Sequence, residues 1–162
     1  MAATRLLLQL LLHLWMDAKN MVSFNDFDAI FNDITKGNRA AFDFCNAFFR
    51  WVHCLDDLYD KDKEVPASAV SFLFFSLIQT IACNPFFQQH RDVLLATLLM
   101  SSQAWADSEE WKKREDVLHR ITSQVLKSQY QDVFLHVAAL CGGQQHMQEM
   151  ARKYRDYNYD QN

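Results

Sequence analysis

The stretch Asn38-Arg39-Ala40-Ala41-Phe42-Asp43-Phe44-Cys45-Asn46-Ala47-Phe48-Phe49-Arg50-Trp51-Val52-His53-Cys54-Leu55-Asp56-Asp57-Leu58-Tyr59-Asp60 decides how this chain folds. Wound at about 100° per residue from Asp56, it gathers Phe44, Phe48, Trp51, Val52, Leu55, Leu58 and Tyr59 between roughly 200° and 320°. Asn46, Arg50, His53, Asp56, Asp57 and Asp60 gather between roughly 0° and 120° on the same wheel. An amphipathic helix over 38–60 follows, with a broad apolar stripe for the core. Phe42 and Phe49 also project into the polar arc, which suits the wall of a cleft better than open water.

The composition extends that helical reading to the whole chain. Half of the 162 residues are hydrophobic, 13 are Phe, and only 3 Gly and 2 Pro are available for the turns that an all-β fold would need. The length suits one domain, 1–162, large enough to bury a core. We expect an all-α, single-domain bundle of about six helices around a buried central helix.

The breakers divide the chain. A first helix is expected over 4–20, and Ser23-Phe24-Asn25-Asp26 is a helix-opening signal. Gly37 supplies the positive φ that ends the short helix after it. Pro66 suits the first turn of a helix over 67–83, which is apolar nearly all round and is therefore expected at the buried centre, with 38–60 beside it. Asn84-Pro85 breaks the chain again, and a helix is expected over 88–105. Asp107-Ser108-Glu109-Glu110 then reads as a cap opening a long helix over 109–140 that ends at Gly142-Gly143. The last helix, 144–157, reads as polar and frayed.

Charge and cysteine usage narrow the function classes. A net charge of −4 leaves no electrostatic footprint for nucleic acid. Cys45, Cys54, Cys83 and Cys141 contain no C-x-x-C pair and sit among apolar residues, which suits reduced thiols in a cytoplasm. Arg5 followed by Leu6 to Leu12 has the outline of a signal peptide, but Gln9 and His13 interrupt it and no small-residue cleavage site follows. The run is also too short to span a bilayer, so a packing helix and no membrane partner are expected.

Asp56, Asp60 and Asp57 fall at roughly 0°, 40° and 100° on the wheel, three carboxylates on one arc, as a helix would present oxygen ligands to Mg²⁺. Arg50 and His53 lie one and two turns earlier, placed to pair with the acids or to contact an anionic ligand. Acids crowding the negative end of a helix dipole carry a small electrostatic cost, which a cation would offset. The same arc is also readable as a solvated surface knitted by i,i+3 and i,i+4 ion pairs. Asp116 with His119 and Asp132 with His136 are His–carboxylate pairs at helical spacing without the second copy that a di-metal bundle needs. His136 reads as a partly buried, hydrogen-bonded histidine.

Asp56-Asp57-x-x-Asp60 resembles the D-D-x-x-D motif of isoprenoid diphosphate synthases, all-α enzymes whose aspartates hold Mg²⁺ on a diphosphate. The small all-α nucleotide pyrophosphohydrolases are similar in size but carry glutamates. Asp107, Glu109, Glu110, Glu115 and Asp116 lack either family's second spacing. A wider resemblance covers most of the chain. Asn38 to Asn46, Trp51 to Val65 with its Asp-Asp-Leu-Tyr-Asp-Lys-Asp run, Asn84-Pro85-Phe86-Phe87, His90 and Trp105 together resemble a group of uncharacterised proteins found in tailed bacteriophages. That resemblance implies a viral protein made in a bacterial host cytoplasm, where small helical proteins act by binding host or virion components. We expect a phage-encoded accessory protein acting mainly by binding a protein partner, with the acidic helix face as its functional surface. The alternatives are a Mg²⁺-dependent enzyme on a diphosphate or nucleotide, with Asp56, Asp57 and Asp60 on the metal and Arg50 and His53 on the ligand, and a helical virion component.

Overall fold

Aromatic residues spaced three and four apart on three separate segments can only be hidden by bringing those segments together, and that is how the molecule is organised. The computed structural model describes residues 25–61 and 64–161, with side chains described for 27–61 and 64–156. The expected helix over 4–20 lies outside the described residues.

Among the described residues there are helices and no strands: α1 Asn25–Thr35, α2 Arg39–Asp60, α3 Ala67–Cys83, the single turn α4 Pro85–Gln89, α5 Arg91–Lys112, α6 Val117–Lys127 and α7 Gln131–Gln161. A 3₁₀ turn, Ser128–Tyr130, joins α6 to α7. Six of the seven helices have eleven residues or more, an all-α bundle as expected.

The breaks are made by local chemistry. Gly37 and Lys36 both adopt positive φ, and Asn38 caps α2 by accepting from the Ala41 amide at 3.1 Å. Asn84 does two jobs. Its Oδ1 accepts from the Phe87 amide at 2.9 Å, with Pro85 in the first turn of α4, and its Nδ2 donates to the Ala40 carbonyl at 2.9 Å. That tie fastens the α3–α4 corner to the start of α2.

Two expected boundaries fall elsewhere. No helix starts at Asp107-Ser108, because α5 runs on to Lys112 and the Ser108 hydroxyl donates back to the Trp105 carbonyl at 2.7 Å, an ordinary mid-helix bond. The true cap is Asp116, which accepts from the His119 amide at 2.9 Å and opens α6. Gly143 does break the following helix, with φ +78°, but helix resumes at once and continues to Gln161.

The core lies where α1, α2 and α7 meet. Phe134 of α7 sits 5.1 Å from Phe31, 5.5 Å from Phe48 and 5.6 Å from Tyr154, ring centre to ring centre. Phe27 and Phe31 of α1 also meet Phe49 at 4.2 and 5.6 Å, which is why Phe42 and Phe49 are buried although they lie on the polar arc of α2. The C-terminal helix, expected to fray, instead seals this core with a fully buried Tyr154, and Lys153 pairs with Asp33 of α1. His146 donates from Nε2 to the Ile34 carbonyl at 3.0 Å.

The expected centre is displaced by one helix. Segment 67–83 has the expected limits but no buried residue, and Phe74 is 60% exposed. The buried helix is α2, with seven buried residues from Ala41 to Trp51. The reason is geometric. An uncharged helix has no preferred outward face, so α3 rests one side on α2, where Trp51 Nε1 donates to Ser76 Oγ at 2.8 Å, and leaves the rest uncovered. Along α2 itself, burial stops at Trp51, and Leu55, Leu58 and Tyr59, expected in the core, are exposed.

Truncating the ring that three helices share should cost what a large core cavity costs. Phe134→Ala is expected to lower unfolding free energy by about 3–5 kcal/mol in a urea titration.

Candidate functional site

The second half of α2 lies beyond the aromatic core and carries the acids, so its contacts are polar. α5 and α6 pack closely on each other but reach α2 mainly through side chains. Lys112, from the last turn of α5, binds Asp60 Oδ1 at 2.6 Å. Lys127, from the last turn of α6, pairs with Asp56 and lies 3.5 Å from the second oxygen of Asp60. The ring of Tyr59 meets that of Trp105 edge-on at 4.5 Å. Two ammonium groups of the chain itself thus stand against the acidic helix end. They offset the charge that the dipole leaves there, since α2 has no basic residue in its own last turn.

These pairs shift the groups involved. The hydrogen bond from Lys112 holds the Asp60 carboxyl below its ordinary value, and the same bond holds Lys112 above its own. Burial works to lower Lys127, but its bond to Asp56 and the charges of Asp56, Asp60 and Glu109 outweigh that and raise it. Tyr130, beside this cluster, is raised by desolvation.

A small cavity of about 240 Å³ opens next to Lys127, walled by His53 and Asp56 of α2, Trp105 of α5, Gln124 and Lys127 of α6, and Tyr130 and Gln131 beyond it. Its walls could hydrogen-bond a small polar molecule. The His53 ring packs edge-on against Phe49 at 4.1 Å. Arg50, the third polar residue that α2 was expected to aim at one ligand, lines a different and larger cavity of about 480 Å³ between α2 and α3, with Arg39, Asp43, Asn46 and Gln79. Burial lowers the Arg50 guanidinium, and the charge of Asp28 works against that. The backbone carbonyl of Asp57 accepts from Lys61, whose positive φ closes the helix, and its carboxylate raises the partly buried Cys54 thiol after desolvation has done so.

The residues of the polar arc are therefore divided. His53 and Asp56 share one cavity, Asp60 joins Asp56 in the lysine seam, and Arg50 lines the cavity beside α3. Among the described residues, no group of three or more His, Cys, Asp or Glu side chains is placed to hold a metal ion. His136 has the expected bonding partner, its Nδ1 lying 3.1 Å from the Thr97 hydroxyl, but it is exposed where partial burial was expected. The Asp116–His119 pair forms, but as the cap of α6.

A feature the sequence pattern did not expose is the orientation of α6. A surface helix turns its apolar stripe inward. α6 does the reverse. Its buried residue is Ser123, whose hydroxyl donates to the Ser108 carbonyl of α5 at 2.9 Å, while Val117, Leu118, Ile121 and Val125 are 62, 71, 57 and 57% exposed. The four fall within roughly 100° of arc, so periodicity marks them as a stripe and not which way it faces. Among the described residues, no helix is long and apolar enough to cross a membrane. Comparison with protein families, curated proteins and solved structures finds nothing that matches this chain.

The lysine seam generates two predictions. Lys127→Ala should lower stability by about 1 kcal/mol, and a double-mutant cycle with Asp56→Asn should show positive coupling of several tenths of a kcal/mol. Asp60 is depressed in the folded state, so its contribution is present above the unfolded carboxylate value and is lost as pH falls below about 4. Lys112 and Lys127 are raised, so theirs is present below the unfolded lysine value and is lost as pH rises above about 10. Midpoints of thermal unfolding measured across pH should fall less steeply at both ends in Asp60→Asn than in wild type.

Proposed function

We propose that this chain is a phage-encoded accessory protein that works in the cytoplasm of a bacterial host by binding another protein, with the outward stripe of α6 as its docking face. The observation that carries the reading is the inversion of α6. A helix that hides a serine and shows two valines, a leucine and an isoleucine to water leaves apolar area uncovered that a partner would bury. At about 25 cal/mol per Å² of apolar area removed from water, one such helix face is enough to anchor an interface when a complementary face meets it. The partner that fits is a protein presenting its own apolar helix stripe. Arg120, exposed on α6 beside Ile121, favours an acidic residue at the rim of this face.

The acidic end of α2 takes a supporting role in this reading. By holding Lys112 and Lys127, it fixes α5 and α6 and so presents the docking stripe. The enzyme reading, with Mg²⁺ on Asp56, Asp57 and Asp60, would require a metal to compete with two ammonium groups already bonded there.

The test places a photo-cross-linking amino acid at Ile121 in bacterial cells that also express the phage genome. One discrete adduct with a different protein is expected, abolished by Val117→Asp/Val125→Asp and absent when the cross-linker sits at Asp92. Absence of any adduct would contradict the reading. Mg²⁺-dependent hydrolysis of a nucleotide or diphosphate, lost in Asp56→Asn/Asp57→Asn, would replace it with the enzyme. Co-purification with assembled particles, with the adduct to a structural protein, would make it a virion component.

A further inference from the structure

Arg50, grouped by helical spacing with His53 and the acids, also ends a row of its own. Arg39, Asp43, Asn46 and Arg50 recur at intervals of four, three and four, so they follow one face of α2 for about 17 Å. Phe72, Ser76, Gln79 and Cys83 repeat the same intervals on α3, with Thr80 beside Gln79. α3 runs antiparallel to α2, with Asn84 tied to Ala40 at one end and Ser76 tied to Trp51 further along. The two rows wall the cavity of about 480 Å³. α3 carries no charge, and three of its five polar residues, Ser76, Gln79 and Thr80, stand on this wall. The volume falls in the range that holds small organic molecules and is many times the roughly 30 Å³ of a water.

The two guanidinium groups lean toward the middle of the row. Arg39 reaches forward to Asp43 at 3.0 Å, with its guanidinium 5.1 Å from the centre of the Phe42 ring. Arg50 is half-buried, and the charge of Asp28 acts on it; Asp28 also accepts from Asn46 Nδ2 at 3.5 Å. A guanidinium has five N–H donors in a planar fork, so each can keep its carboxylate neighbour and still offer an edge to an oxyanion. The Arg39–Asp43 pair is exposed, its side chains 80 and 50% accessible, and such a pair exchanges at little cost for a two-pronged contact. We propose that the cavity between α2 and α3 binds a small hydroxylated organic anion, a sugar phosphate or a sugar acid. Its oxyanion sits on Arg39 and Arg50, and its hydroxyls meet Asp43, Asn46, Gln79 and Thr80. No residue of α6 lines this cavity, so the site is independent of the docking face.

Cys83 supplies the readout, because it lines the cavity and is exposed, whereas Cys45 is buried and Cys54 and Cys141 are part-buried. Alkylation of each thiol by iodoacetamide is followed by mass spectrometry on the full chain, while ribose 5-phosphate, gluconate, ribose or inorganic phosphate is titrated in. Ribose 5-phosphate or gluconate should slow the reaction of Cys83 about tenfold at ten times its dissociation constant, and should leave Cys54 and Cys141 unchanged. Protection by the first alone supports the proposal with a phosphate ligand, by the second alone with a carboxylate, and by both with the shared oxyanion. Arg39→Gln, at an exposed position, should weaken binding about tenfold or more, as loss of a charged hydrogen bond does. Arg50→Lys, which keeps the charge and loses the fork, should weaken it too. Arg39→Gln keeps the test decisive if the Arg50 variant unfolds. No protection by either organic anion at millimolar concentration would overturn the proposal. So would equal protection by ribose, equal protection by inorganic phosphate, or protection that survives Arg39→Gln undiminished.

Discussion

Two ammonium groups decide how far this bundle extends beyond its aromatic core. Lys112 and Lys127 end two neighbouring helices, and both reach the carboxylates at the end of α2. Each long side chain adds an ionic tie across a gap where α2 and α5 also meet through the Tyr59–Trp105 ring contact. Without those bridges the acids of α2 would stand together at the negative end of a helix dipole with no basic residue in the same turn. α5 is anchored independently by Leu94 in the core and by the Thr97–His136 contact with α7, and the charge pairing adds a tie from the ends of α5 and α6 to the end of α2.

The first half of α2 obeys a different constraint. It is wrapped by α1, α4 and α7, and its aromatic rings are enclosed on both the apolar stripe and the nominally polar arc. One continuous helix therefore has two regimes, dry and aromatic up to Trp51, wet and ionic from His53 onward. Apolar packing there supplies kilocalories per residue, whereas exposed ion pairs supply a few tenths to one. The core holds the molecule together. The seam ties the ends of α5 and α6 to the end of α2.

Much of this was legible from local chemistry. Gly37-Asn38, Pro66 and Asn84-Pro85 mark real helix limits because caps and breakers act within a few residues of themselves. Burial was less legible, because it depends on neighbours far along the chain. The uncharged run 67–83 reads as a centre, yet a helix with no polar face can also lie on a flank, and α3 does. Asp107-Ser108 reads as a cap, yet a serine that bonds its own helix carbonyl leaves the helix intact. Met147, Met150 and Tyr154 recur at i, i+3 and i+7 in the last helix, a signal hidden among polar residues that marks the face buried on α1. For the site, the polar arc was correctly grouped on one helix. Its division between two cavities and its lysine partners arise from tertiary contacts that spacing does not encode.

The most direct test of the central claim is to titrate the side-chain carboxyl carbons of Asp56 and Asp60 by nuclear magnetic resonance, in wild type and in Lys112→Ala. The account predicts that Asp60 titrates below the usual carboxylate range of about 3.9 in wild type and moves back toward it when Lys112 is removed. An Asp60 that titrates at the ordinary value in wild type, or one whose titration ignores the loss of Lys112, would contradict the account.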